Sequence, residues 1–291
     1  MKKIFTLLVA AFAFTMVMGQ PTALINKTET APVVDGAIDE VWATVDPIAI
    51  ATPHGAETPT VGESWWKMLW DDEGLYLLCF IEDDKFVPAY KGTVPGETWN
   101  YDKLEIYFDC NYQKKDSKGA TNGSGHYQVA PTVNKDLLEG GAETADRGEI
   151  WAFNCTEDPH YYVEYFFPFS MLNDADGIQV DKTEPIGFDV NIMDNDKDDL
   201  TPSRNRMNWA NAGAIAENWA NMDDAGLITL NGAQAPTYVD AVTLASGQSI
   251  SVDNGTLQMV ATIAPEDASI KKLKWSVTNL TGKASMIRRV F

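Results

Sequence analysis

The chain has 291 residues, 42 acidic against 22 basic, and a formal net charge of −20. Such acidity repels nucleic acid and anionic lipid and suits neutral or cationic ligands. Three cysteines exclude a complete disulfide framework: Cys79, in LLCFI, reads as a core residue, and Cys110 with Cys155 leaves room for one bridge.

The first segment, MKKIFTLLVAAFAFTMVMGQ, places two lysines before an uncharged run from Ile4 to Met18 and a small Gly19. This is the pattern of a secretory signal peptide, residues 1–19, cleaved after Gly19. The run is short for a membrane span, and no later segment is long and apolar enough to cross a bilayer. Removal of Lys2 and Lys3 takes the net charge from −20 to −22. The mature chain is expected outside the cytoplasm: secreted, extracellular, or at the surface or in the periplasm of a bacterium.

From residue 20 onward the text is β-rich. WWKMLWDDEGLYLLCFIEDD reads as two strands around an Asp-Asp-Glu-Gly turn. KLEIYFDC, HYQVAP, EIWAFNC, YYVEYFFPF and IGFDVNIMD follow, separated by Gly, Asn and Asp clusters. Short strands with turn signals between them predict an all-β fold, an antiparallel, jelly-roll-like β-sandwich over residues 20–231. Helical hints are confined to FSMLND and AIAENWANM. The segment 114–125 (KKDSKGATNGSG) reads as a hairpin loop, and residues 232–238 as a Pro-containing linker. The text from 239 to 291 alternates again as strands.

In WNYDKLEIYFD (99–109), alternation sends Leu104, Ile106 and Phe108 to one face and Lys103, Glu105, Tyr107 and Asp109 to the other. An extended chain back to residue 99 adds Trp99 and Tyr101 to the polar face. Indole beside carboxylate suits a sugar, whose C–H faces stack on rings and whose hydroxyls hydrogen-bond to carboxylates and amides. RNRMNWANAG (204–213) offers a second set: Trp209 flanked by Arg206, Asn208 and Asn211. Either indole has the alternative of partial burial under loops. In HYQV, His126 and Gln128 share a face that lines the same cleft or is a solvated strand surface.

DNDKDD (194–199) puts Asp194, Asp196 and Asp198 at alternate positions, as at the start of a calcium loop. The sixth position is Asp199 rather than Gly and the twelfth is Asn205 rather than Glu, so this is no EF-hand. Calcium held by Asp194, Asp196 and carboxylates from other loops is one reading, a solvated acidic loop the other. No His-Glu-x-x-His, Gly-x-Ser-x-Gly or Cys-x-x-Cys occurs, and the expectation is a binding protein rather than an enzyme.

Taken together, VVDGAIDEVWATVDP, MLWDDEGLYLLCFIEDD, WNYDKLEIYFD, YYVEYFFPFSML, IGFDVNIMDND and NWANAG…AGLITL resemble carbohydrate-binding module family 9, in the family's order, across about residues 30–230. The resemblance implies a β-sandwich, often appended to secreted xylanases, that holds a terminal sugar between two Trp side chains. It puts the first platform on Trp99, its carboxylate on Glu105 and the second platform on Trp209. It also implies an Arg on the HYQVAP strand, where this chain has none and His126 or Gln128 would substitute. Structural calcium near Asp194 is implied too, with no redox cofactor. The implied ligand is a plant-type polysaccharide or oligosaccharide such as xylan or cellulose, and the implied partner a glycoside hydrolase or cell-surface assembly. Residues 239–291 resemble a bacterial immunoglobulin-like domain of group 2 through Pro265, Ala268, Trp275 and Ser276, and are expected to be a partial, truncated copy. Two rival expectations are a haem-binding cytochrome-like sandwich, using Met68, Met171, Met193 or His126, and a structural or adhesion protein with a vestigial cleft.

Overall fold

The structure, a computed structural model, describes residues 20–87, 97–110, 115–119, 125–129, 150–157, 159–172 and 180–235, and beyond them 237, 239–244, 257, 259–266 and 268. The chain divides into two compact units on either side of the Ala233–Gln234 bond.

Among the described residues, twelve strands form the first unit: β1 (Thr22–Lys27), β2 (Ile48–Ala49), β3 (Thr52–Pro53), β4 (Trp65–Trp70), β5 (Gly74–Ile81), β6 (Lys103–Asp109), β7 (Gly125–Val129), β8 (Ile150–Glu157), β9 (His160–Pro168), β10 (Ile186–Asp194), β11 (Asn205–Asn208) and β12 (Gly226–Leu230). One layer runs β7–β6–β10, with β11 and β12 sharing the far side of β10. The other runs β4–β5–β9–β8, with β2 beside the start of β4. The sandwich is antiparallel apart from β1, which pairs parallel with β12 through Thr22–Ile25 and with β4 through Asn26 and Lys27. One strand thus belongs to both layers.

Period-2 alternation builds the core. Ile186, Phe188, Val190 and Ile192 of β10 point inward beside Leu104, Ile106 and Phe108 of β6, all at 1% exposure or less. Each such side chain contributes roughly 1.5–3 kcal/mol on burial. The layers meet ring to ring, Phe108 on Phe167 at 5.0 Å and Trp66 on Phe188 at 5.1 Å. Met68 and Met171 fill gaps in this core. The β4–β5 turn forms because Asp71 accepts from the Glu73 and Gly74 amides at 2.8 and 3.1 Å. Gly74 is needed there, since a Cβ would lie 2.4 Å from the Phe167 carbonyl.

Two local expectations fail. Residues 169–171 and 218–220, in the two segments with helical hints, are turns. Trp99 lies in a short 3-10 turn (Thr98–Asn100), so the alternation of β6 does not reach back to it. Tyr101 is fully buried, its hydroxyl donating to the Leu200 carbonyl at 2.7 Å.

In the second unit β13 (Ala241–Leu244) pairs antiparallel with β14 (Ala261–Ala264). The immunoglobulin-like expectation leans on Trp275 and Ser276, which lie outside the described residues.

Candidate functional site

The outward face of the β7–β6–β10–β11 layer is polar. Register aligns Gln128, Glu105, Asn191 and Asn208 in one row across the four strands, and His126, Tyr107 and Asp189 in the next. Lys103, Met193 and Arg206 make a third. His126 and Gln128 therefore sit opposite Tyr107 and Glu105, while their side chains lie outside those described. Glu105 is 3% exposed and accepts a hydrogen bond from the Tyr107 hydroxyl, so the carboxylate lies on the floor of this face rather than on open surface.

Residues 209–225 fold over the face, and Asp189 is the hook. Its carboxylate accepts from the Ala210 amide at 3.0 Å, the Asn211 amide at 2.9 Å and the Asn218 side chain at 2.8 Å. Asn218 also donates to Asn191 at 3.2 Å, tying the segment to the residue opposite Glu105. Burial pushes the Asp189 carboxyl up to about 6, against the pull of these donors.

The second anchor is ionic. Arg206, with 6% of its side chain exposed, meets Glu57 through Nε at 3.0 Å and an Nη at 2.6 Å, and Glu217 at 2.8 Å. Arg204 reaches the same Glu217 oxygen at 3.0 Å. The other Glu217 oxygen accepts from the Trp219 indole N–H at 2.5 Å. Burial works against the Glu217 charge, but the indole N–H and the two guanidiniums outweigh it and hold the carboxyl below its ordinary range.

These facts redistribute the residues expected from sequence. Trp209 is not an open platform: it is 7% exposed, 4.9 Å edge-on to Trp66 and 5.8 Å from Phe188, with Gly226 pressed against its ring. Arg206 is spent on Glu57 and Glu217. Asn208 is fully buried and donates to the Asn211 carbonyl at 2.5 Å. Trp99 is 40% exposed on the turn that feeds β6. The residue missed is Trp219, 50% exposed, and with it Asn191, Asn218 and Glu217. A signal was present: Asn-Trp-Ala-Asn occurs twice, at 208–211 and 218–221, and the fold buries the first indole and exposes the second.

A cluster of carboxylates marks one end of the sandwich, where β5 and β10 finish. Asp83, Asp84, Asp194 and Asp196 bring one oxygen each to within 4.8 Å of the others. Asp194 is 1% exposed, and its Oδ1, like that of Asp196, has no hydrogen-bond partner. Thr60 holds the set from one side, its amide donating to Asp194 at 2.8 Å and its hydroxyl to Asp196 at 2.8 Å. Burial, with like charges nearby, pushes Asp194 up to about 6 and raises Asp83 as well. All-oxygen donors with unpartnered buried atoms fit a hard divalent cation such as calcium. Asp83 and Asp84 are supplied by the distant β5 end and were not named from sequence; Asp198 instead pairs with Lys85.

Of the three cysteines, Cys79 is a buried free thiol and Cys110 is buried. The side chain of Cys155, and with it the expected Cys110–Cys155 bridge, lies outside the described residues.

The family model described as carbohydrate family 9 binding domain-like matches residues 34–233. Exoglucanase XynX of Acetivibrio thermocellus is 26% identical over 229 residues, 78% of this chain and 19% of that protein. Endo-1,4-beta-xylanase A of Thermoanaerobacterium saccharolyticum is 25% identical over 229 residues, 78% of this chain and 18% of that enzyme. The chain thus spans under a fifth of the length of these two relatives. Among solved structures, a carbohydrate binding module family 9 from Caldicellulosiruptor kristjanssonii in complex with cellotriose superposes with a TM-score of 0.55 at 21% identity, covering 74% of this chain and 98% of that one. The same module in complex with glucose gives 0.54, at 72% and 96% coverage. At such identity these likenesses speak to the fold alone. A match to the family model over most of the chain settles the family: this chain belongs to the carbohydrate family 9 binding domain-like proteins.

Proposed function

We propose that residues 34–233 form a non-catalytic sugar-binding module of a secreted bacterial protein, taking a neutral glucan or xylan end between Trp99 and Trp219. The observation that carries this reading is the exposure of the tryptophans. Among the described ones only Trp99 and Trp219 are exposed, at 40% and 50%; Trp99 lies on the turn that feeds β6, and Trp219 follows Asn218, which is tied to Asn191 of the polar face. Exposed indoles withdraw apolar surface from water when a pyranose stacks on them, which is the gain that the two exposed rings offer. The net charge of −20 favours an uncharged sugar over an acidic one. The cellotriose and glucose named with the similar modules, and the xylanase and exoglucanase relatives, support a plant-type β-glycan and a glycoside hydrolase or surface assembly as partner. Calcium at Asp83, Asp84, Asp194 and Asp196 serves structure in this reading, by joining the ends of β5 and β10.

The test is titration of the full chain with cellotriose and xylotriose in calcium buffer, followed by Trp fluorescence. Trp99→Ala and Trp219→Ala are each expected to remove binding while the fold, checked by circular dichroism, persists. Retention of full affinity by both variants refutes the site.

A further inference from the structure

We infer that Glu217 is a positioning residue that presets the Trp219 indole for stacking, backed by an ion-pair chain running Glu57–Arg206–Glu217 through the buried Arg206. The inference rests on the sugar-binding reading above and concerns how its second platform is held.

An indole that is half exposed is ordinarily free to change rotamer, and freezing it on binding costs affinity. Here three restraints bracket one residue. The Glu217 carbonyl accepts the Ala220 and Asn221 amides at 2.9 Å each, which closes the turn around Trp219. Asn218, the residue before it, is fixed on Asp189 and Asn191 beneath. The Glu217 carboxylate takes the indole N–H at 2.5 Å. The carboxylate is itself not free to swing, because its other oxygen is held at 2.8 and 3.0 Å by Arg206 and Arg204. Arg206 is fixed in turn by its two-pronged contact with Glu57, 149 residues away in sequence. Guanidinium–carboxylate pairs of this planar kind set direction as well as energy.

The arrangement has a chemical consequence. With its N–H already donated, Trp219 has no hydrogen bond to offer a sugar hydroxyl, so its contribution is the ring face. A carboxylate accepting the indole N–H also enriches the ring in electron density, which strengthens attraction for the C–H face of a pyranose. Selection at this platform is then for a sugar with an unbroken C–H face, by stacking.

The experiment compares Glu217→Ala, Glu217→Gln and Trp219→Ala in the full chain. The first readout needs no ligand: the Trp219 band in near-ultraviolet circular dichroism, isolated by subtracting the Trp219→Ala spectrum. Glu217→Gln keeps an acceptor for the indole and should keep the band, with Arg206 still covered by Glu57. Glu217→Ala should flatten it and shift the emission to the red. The second readout is cellotriose affinity, expected to fall about three- to tenfold in Glu217→Ala, the scale of one side chain left to be ordered on binding. A band unchanged in Glu217→Ala, or full affinity in that variant when Trp219→Ala has lost its own, overturns the positioning role. Loss of the band in Glu217→Ala with affinity untouched by Trp219→Ala upholds the tether and instead refutes Trp219 as a sugar platform.

Discussion

Replacing Trp209 separates its role from that of Trp219. The indole is 7% exposed and packed against Trp66 and Phe188, in contact across the two layers. A buried indole removes about 150–250 Å² from water, worth roughly 4–6 kcal/mol at about 25 cal/mol per Å². Partial collapse of the surroundings brings the expected cost of Trp209→Ala to about 3–5 kcal/mol. For a unit of this size each kcal/mol lowers the melting temperature by about 2–4 °C, so a drop of roughly 6–20 °C follows. Trp209→Phe, which keeps a ring against Trp66, should lose about half of that. Differential scanning calorimetry measures both, and cellotriose titration well below the transition should find the affinity of Trp209→Phe within about twofold of wild type. A variant that melts like wild type yet no longer binds sugar would refute the assignment of Trp209 to the core.

Gly226→Ala probes the same packing from the other side. Its Cβ would sit 2.3–2.8 Å from the Trp209 ring, with no flexible chain end to yield, and a loss of about 1–3 kcal/mol in urea denaturation is expected; an unchanged midpoint would mean the indole can move aside. Calcium at a hundred times its dissociation constant should raise unit stability by about 2.7 kcal/mol, reversed by chelator and abolished in Asp194→Asn; a melting temperature indifferent to calcium would empty the proposed cation site. Asp189 should titrate near 6 by carboxyl carbon-13 NMR. A carboxyl raised by folding contributes stability that is present below its unfolded pKa and lost as pH rises through about 6, so the net contribution of Asp189 to folding falls toward neutrality; a midpoint at the ordinary carboxylate value would show that its donors fully offset burial.

The parts of the fold set by short-range pattern were legible in the sequence. β6 and β10 alternate so regularly that their apolar faces, and the polar face bearing Glu105, could be read from single strands. The same rule, applied one residue further, would have warned against Trp209: if Arg206 and Asn208 share the outward face, the residue after Asn208 turns inward. What could not be read was tertiary. Whether the indole of 208–211 or that of 218–221 reaches the surface depends on Asp189 pulling the intervening segment down by two backbone amides and Asn218. Asp83 and Asp84 join Asp194 and Asp196 only because β5 and β10 end at the same place, over a hundred residues apart in the chain. The parallel placement of β1 was equally hidden, since hairpin signals predict only antiparallel neighbours.

That placement sets how the unit answers a pulling force. β1 and β12 run side by side in the same direction, with Thr22 opposite Leu227 and Ile25 opposite Leu230. Force applied at Thr22 and at Leu230 therefore acts on opposite ends of one ladder. Tension between them drags the strands lengthwise past each other, in shear, so the hydrogen bonds of the ladder, together with those from Asn231 to Ile25 and Leu227 to Pro21, must give way nearly at once. A hairpin pulled at its open end unzips one bond at a time. Resistance of the shear kind is governed by the unfolding rate rather than by equilibrium stability.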